Sequence, residues 1–261
     1  MELGLAGKSA VVTGASKGIG LAITRALVGE GVQVTAGART LGPDLASLQS
    51  AGGVAFVPVD LSTPSGPQTL VDRAVELADG RVDIVVNNVG GVTPRPEGFA
   101  TVTDDDWYRT FNLTFLAAVR TIRAALPHMA AGGSIVTIGS VNAYLPDPLV
   151  IDYSAAKAAL TNFSKSLSKE VGPAGIRVNT IGPGPVETDL WLGEHGVAQT
   201  VGRDAGRAPA EVAADAAAGS VTGRFSRPDE VADLVLLLAS DRAANVTGAN
   251  FTVDGGLIPT L

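Results

Sequence analysis

Short apolar, β-branched runs alternate along the chain with longer segments whose apolar residues recur every three to four positions. Seven runs read as buried strands, at 9–13, 33–38, 54–59, 83–87, 134–138, 176–181 and 250–254. Helical periodicity runs between them through Leu21, Ala22, Ile23, Ala26 and Leu27, then over 71–78, 104–129, 153–171 and 229–239. Thr103 and Asp104 mark one helix start, and Gly172 to Gly175 a helix end. Strands separated by helices predict an α/β fold built on a mostly parallel sheet. From 189 to about 221 neither period holds, and small and acidic residues dominate; that stretch reads as a lid over a substrate site.

The candidate chemistry falls at the ends of the predicted strands. After the first strand comes Gly14-Ala15-Ser16-Lys17-Gly18-Ile19-Gly20 and then a helix. Such a turn lets backbone N–H groups and the positive helix end approach a pyrophosphate, and its last glycine permits tight packing of helix on strand. Ser140 follows the 134–138 strand, at the sheet edge where open α/β folds bind ligands. Tyr153 and Lys157 lie four apart at the opening of a helix, so both project from one face. An ammonium about 4 Å from a phenolate attracts it by about 4 kcal/mol at an effective dielectric near 20. As an upper bound that lowers the phenol by roughly three pKa units from its ordinary value of about 10. Asn112 is a poor residue for the interior of the long 104–129 helix, which marks it as a functional candidate.

Thr13-Gly14-x-x-x-Gly18-Ile19-Gly20, Asn87-Asn88-Val89-Gly90, Asn112, Ser140, Tyr153-x-x-x-Lys157 and Pro183-Gly184 together resemble the short-chain dehydrogenase/reductase family, over nearly the whole chain. Within it the chain looks like the single-domain carbonyl reductases, including the 3-oxoacyl reductases. The resemblance implies a Rossmann-like, doubly wound, seven-stranded sheet with helices on both faces, in one domain spanning 1–261. It implies hydride transfer between a nicotinamide and a carbonyl or secondary alcohol, with Tyr153 as general acid/base, Ser140 holding the oxygen and Lys157 lowering the phenol pKa. Asn112 would hold a water behind the lysine. Cofactor contacts would come from Gly14, Ser16, Lys17, Gly18, Ile19, Gly20, Arg39, Asp60, Leu61, Asn88, Gly90, Tyr153, Lys157, Pro183, Gly184, Val186 and Thr188. Val89 stands where the family usually has alanine. Enoyl reductases of the superfamily typically separate Tyr and Lys by six residues, where three lie between Tyr153 and Lys157. A non-catalytic sensor or interaction module is the alternative class, and the presence of all four catalytic positions argues against it.

The second strand ends Gly37-Ala38-Arg39-Thr40, with no acid to select a free ribose 2′-hydroxyl. Lys17 and Arg39 supply cations instead, so NADP(H) is expected to be preferred, with NAD(H) as the alternative. Composition narrows the remaining choices. The 261 residues include 46% hydrophobic and 17% charged positions, which describes a buried core rather than a disordered chain. A net charge of −7 disfavours nucleic acid as a partner. Without cysteine, disulfides and thiol chemistry are excluded, and two histidines are too few for a histidine metal cluster. No run suits a signal peptide or a membrane span, so a cytoplasmic protein is expected. Helices 104–129 and 154–171 carry apolar residues around more of their circumference than one sheet-facing stripe needs, which predicts a homo-oligomer, by resemblance a homotetramer. The apolar tail 257–261 is read as covered by a partner subunit or by its own domain.

Overall fold

The computed structural model describes residues 2–260. Its seven strands are β1 (Ser9–Thr13), β2 (Gln33–Ala38), β3 (Val54–Pro58), β4 (Ile84–Asn87), β5 (Ser134–Ile138), β6 (Arg177–Pro183) and β7 (Asn250–Val253). They form one parallel sheet in the order β3-β2-β1-β4-β5-β6-β7. The chain winds outward from β1 in one direction, then returns to β4 and winds outward in the other. That reversal opens a crevice at the carboxyl edge between β1 and β4.

Side-chain alternation along the strands divides the core into two layers. Val12, Val34, Ala36, Ile84, Val86 and Val136 face one layer, while Val11, Val85, Ile135 and Val178 face the other. Helices α1 (Gly18–Gly29) and α2 (Pro43–Ala51) cover the first layer through Leu21, Ile23, Leu27 and Leu45. Helix α3 (Gly66–Leu77) covers the second through Leu70, Val71 and Ala74. Strands buried on both faces in this way need continuous apolar runs, as the sequence supplies.

The long helix expected over 104–129 is interrupted. It runs as α4 (Asp104–Phe111) and α5 (Ala117–Ala125), joined by a π-helical turn at Asn112–Leu116, and closes in a 3₁₀ turn at Leu126–His128. Thr103 caps it, its hydroxyl accepting from the Asp106 N–H while the Asp106 carboxylate accepts from the Thr103 N–H. Helix α6 (Ile151–Val171) follows β5. The stretch after β6, which carries no clear period in the sequence, folds into α7 (Asp189–Leu192), α8 (Val197–Ala205) and α9 (Pro209–Ala218).

Helix α10 (Pro228–Ala239) packs on α1 and places Val231, Val235 and Leu238 in the first layer. The buried Arg177 guanidinium donates to the carbonyls of Leu238 (2.6 Å) and Ser240 (3.1 Å), satisfying acceptors left open where α10 ends. Among the described residues no helix is long and apolar enough to cross a membrane.

Candidate active site

A cleft of about 950 Å³ lies along the carboxyl edge of the sheet. The turn after β1 floors one end. Gly14 has φ +68°, and a Cβ there would lie 2.9 Å from the Asn88 amide nitrogen. A Cβ on Gly20 would meet the Gly14 carbonyl at 2.2 Å, so only glycine lets α1 pack this closely on β1. Asn88 at the end of β4 braces the turn, its side-chain amide donating to the carbonyls of Thr13 (3.0 Å) and Gly14 (3.1 Å). No side chain caps the start of α1. Its first N–H groups are therefore free to receive an anion, and the bare backbone of Gly14, Gly18 and Gly20 leaves a cradle beside them. These features fit the pyrophosphate of a dinucleotide.

Every residue expected to touch cofactor lines this one cleft, from Gly14, Ser16, Lys17, Gly18, Ile19 and Gly20 through Arg39, Asp60, Leu61, Asn88 and Gly90 to Pro183, Gly184, Val186 and Thr188. Ala38 and Arg39 close β2 at the outer end, and the exposed Arg39 makes no ion pair among the described residues. Asp60 accepts from the N–H (2.9 Å) and hydroxyl (2.7 Å) of Ser62, and those bonds hold its carboxyl below the usual range. Lys17 lies 3.7 Å from Asp189 of α7, both largely exposed, so the glycine turn touches the segment above it.

Ser140, Tyr153 and Lys157 converge at the inner end. Ser140 is buried; its hydroxyl donates to Asn142 Oδ1 (3.1 Å) and accepts from the Asn142 N–H (3.1 Å). The Lys157 ammonium is buried, donates to the Ile138 carbonyl (2.7 Å) and sits 5.6 Å from the Tyr153 ring centroid. Burial lowers Lys157 to about 8. For Tyr153 the observed balance reverses the expected one. Burial pushes the phenol above its ordinary value, and only the Ser140 hydroxyl pulls it back. The ammonium points to the Ile138 carbonyl at the end of β5 rather than to the phenol, so the downward shift expected from the lysine charge is missing from this state.

Asn112 does not line the cleft. It opens the π-helical turn, and its side-chain oxygen accepts from Arg120 Nη2 at 3.2 Å. π turns inside helices recur at functional sites.

One group of residues escaped the sequence reading. Asp152, next to Tyr153 and 1% exposed, accepts from Arg95 Nη2 (2.8 Å), from the Thr110 hydroxyl (2.7 Å) and from the Tyr153 N–H (3.0 Å). Arg95 also donates to Asp106 (3.1 Å) and, through its backbone N–H, to the Leu149 carbonyl (2.6 Å). Burial works against the Arg95 charge, but Asp152 and then Asp106 hold it above its ordinary value. This cluster fastens the loop after β4 to α4, to the loop before α6 and to the helix that carries Tyr153. Its members lie 11 and 57 residues apart along the chain, so no local pattern signals them.

A glycine cradle at a helix start, set in the switch-point crevice of a parallel sheet, defines a dinucleotide-binding α/β protein. Residues 14–258 match a family model described as enoyl-(acyl carrier protein) reductase. An uncharacterised oxidoreductase of Methylorubrum extorquens is 38% identical over 258 residues, covering 97% of this chain and 98% of that protein. A short chain dehydrogenase/reductase of Aspergillus oryzae is 34% identical over 264 residues, 98% of this chain and 97% of that one. The crystal structure of L-sorbose reductase from Gluconobacter frateurii, complexed with NADPH and L-sorbose, is 35% identical with a TM-score of 0.91 and full coverage of both chains. The chain belongs to the short-chain dehydrogenase/reductase family, and its activity is nicotinamide-dependent oxidoreduction of a small molecule.

Proposed function

We propose that the protein is an NADP(H)-preferring reductase or dehydrogenase acting on a carbonyl or secondary alcohol. The observation that carries this reading is the convergence of Ser140, Tyr153 and Lys157 in the cleft that also holds the glycine cradle. When bound, the nicotinamide supplies or accepts the hydride. Tyr153 Oη donates the proton to the substrate oxygen, or removes it in the oxidative direction, while the Ser140 hydroxyl turns from Asn142 to hold that oxygen. A phenol raised by burial remains a protonated acid until the charge on Lys157 is brought to bear. Lys157 acts on the phenol and on the ribose hydroxyls, and Asn112 at the π turn supports a water behind the lysine. Three residues between Tyr153 and Lys157, rather than six, favour carbonyl over enoyl chemistry.

Lys17 and Arg39 are assigned to the ribose 2′-phosphate, and Asp60 and Leu61 to the adenine. Gly90, Pro183, Gly184, Val186 and Thr188 are assigned to the nicotinamide half. Residues 1–261 act as one unit in which 189–222 is a lid, and four copies assemble through the α4–α5 and α6 faces. The decisive experiment is Tyr153→Phe. The variant should bind NADPH with unchanged affinity by fluorescence titration and lose about a thousandfold or more of turnover. Activity within a few-fold of wild type would end the assignment.

A further inference from the structure

We infer that the substrate is an uncharged, apolar ketone or its secondary alcohol, rather than a sugar, an anionic acid or a thioester on a phosphorylated carrier. This rests on the carbonyl chemistry proposed above and concerns the half of the cleft beyond Ser140 and Tyr153. Loops after β4 and β5, helices α7 to α9 and the C-terminal tail form that half, and Val92, Leu145, Leu149, Leu190, Trp191 and Leu257 wall it. Leu145, Leu149 and Leu190 are 44%, 37% and 40% exposed while lining the cleft. Apolar side chains left open to a concave surface gain most from an apolar guest.

The polar groups there are few, and each has a partner of its own: Ser140 and Asn142 hydrogen-bond one another, and the carboxylates lie near donors or cations. The Asp147 carboxylate accepts from the Leu149 N–H (2.9 Å), Asp189 faces Lys17 (3.7 Å) and Asp215 holds Arg207 (2.6 Å). Lys157 is committed to the Ile138 carbonyl. Among the described residues lining this half, every other charged group is acidic, so an anionic substrate meets repulsion and no guanidinium or ammonium fork. A polyol would strand its hydroxyls against hydrocarbon. In the reaction the ketone gains a hydride at carbon from the reduced dinucleotide and a proton at oxygen from Tyr153, leaving a secondary alcohol and the oxidised dinucleotide.

The test compares kcat/KM for 4-tert-butylcyclohexanone, L-sorbose and acetoacetyl-coenzyme A with NADPH, alongside saturation-transfer NMR of each compound on the cofactor-free protein. The apolar ketone should exceed both others by roughly a hundredfold and alone show transfer to its alkyl protons. Leu145→Asp and Leu190→Asp, at exposed positions that do not endanger folding, should each raise its KM roughly tenfold with little change in kcat. Preferred turnover of sorbose or the thioester would overturn the inference and leave the oxidoreductase reading standing. Bound NADPH with no turnover of any of the three would overturn both. An unchanged KM in the two variants would also overturn the inference.

Discussion

Arg39 and Lys157 show how far a residue type announces its role and where the surroundings take over. The missing acid at Ala38 and the cations Lys17 and Arg39 were legible because they follow a strand end whose position the apolar run sets. In the structure Arg39 is exposed at the rim of the cleft and makes no ion pair among the described residues, which leaves it available to a 2′-phosphate. Charge-assisted bonds contribute about 1.5–3 kcal/mol each before screening, so NADP should be preferred roughly tenfold to a hundredfold. Turnover efficiency with both cofactors in wild type and Arg39→Ala checks this, and a wild-type NAD preference would refute it. Lys157 was legible as a partner of Tyr153, but its burial was not, because burial depends on β5 and the loop after β4 closing over it. With a folded pKa of about 8 against an ordinary 10.5, the unfolded chain binds more protons between those values. The Lys157 contribution to stability is therefore lowest below pH 8 and rises through that window. Between about pH 7 and pH 9.5 the cofactor-free protein should gain roughly 2 kcal/mol, a rise that Lys157→Met abolishes. Urea unfolding at the two pH values gives the answer, and parallel curves for the two proteins would contradict it.

Among the elements, most of those legible in the sequence bury an apolar stripe; α4, which buries none, was legible from its Thr103–Asp106 cap, and β7 from its apolar run. Strands β1, β2, β4, β5 and β6 and helices α1, α3, α6 and α10 bury several apolar residues each. Helix α2 buries only Leu45 and α9 only Val212, so neither leaves a period to detect. Alanine-rich α9 is stabilised by propensity and by packing on α8 rather than by an apolar face. The π turn at Asn112–Leu116 was equally hidden, since one widened turn barely disturbs a 3.6-residue pattern. The Arg95–Asp152 cluster binds elements together through charge at low exposure, and breaking it should be costly. Asp152→Ala leaves Arg95 with Asp106 alone, so a loss of about 3 kcal/mol in denaturant stability is expected. A loss below about 1 kcal/mol would mean the cluster contributes little.

At the scale of the molecule, the parallel sheet follows from the strand–helix alternation and its double winding from the family resemblance, while the cleft's outer wall follows from neither, because it is assembled from loops and short helices distant in sequence. The aromatic row Trp107, Phe111, Phe115 and Phe163 joins α4, the π turn and α6 through one tilted and two T-shaped contacts at centroid spacings of 5.9 to 6.2 Å, and all four stay partly exposed. Such a row on the outer face suits contact with another copy. Light scattering at micromolar concentration should therefore report a tetramer mass; a monomer would exclude the assembly. Helix α10 has a different kind of consequence. It covers α1 and the first core layer, and Arg177 ties its end to β6, yet five strands, β2 to β6, separate it from α1 along the chain. Until it is made, Leu21, Ile23 and Leu27 lack a partner for part of their apolar surface, so the core beneath the cofactor end waits on a segment distant in the chain. The helix that opens the glycine cradle is thus completed by long-range packing, and folding of the cofactor end is tied to the non-local, slower part of the fold.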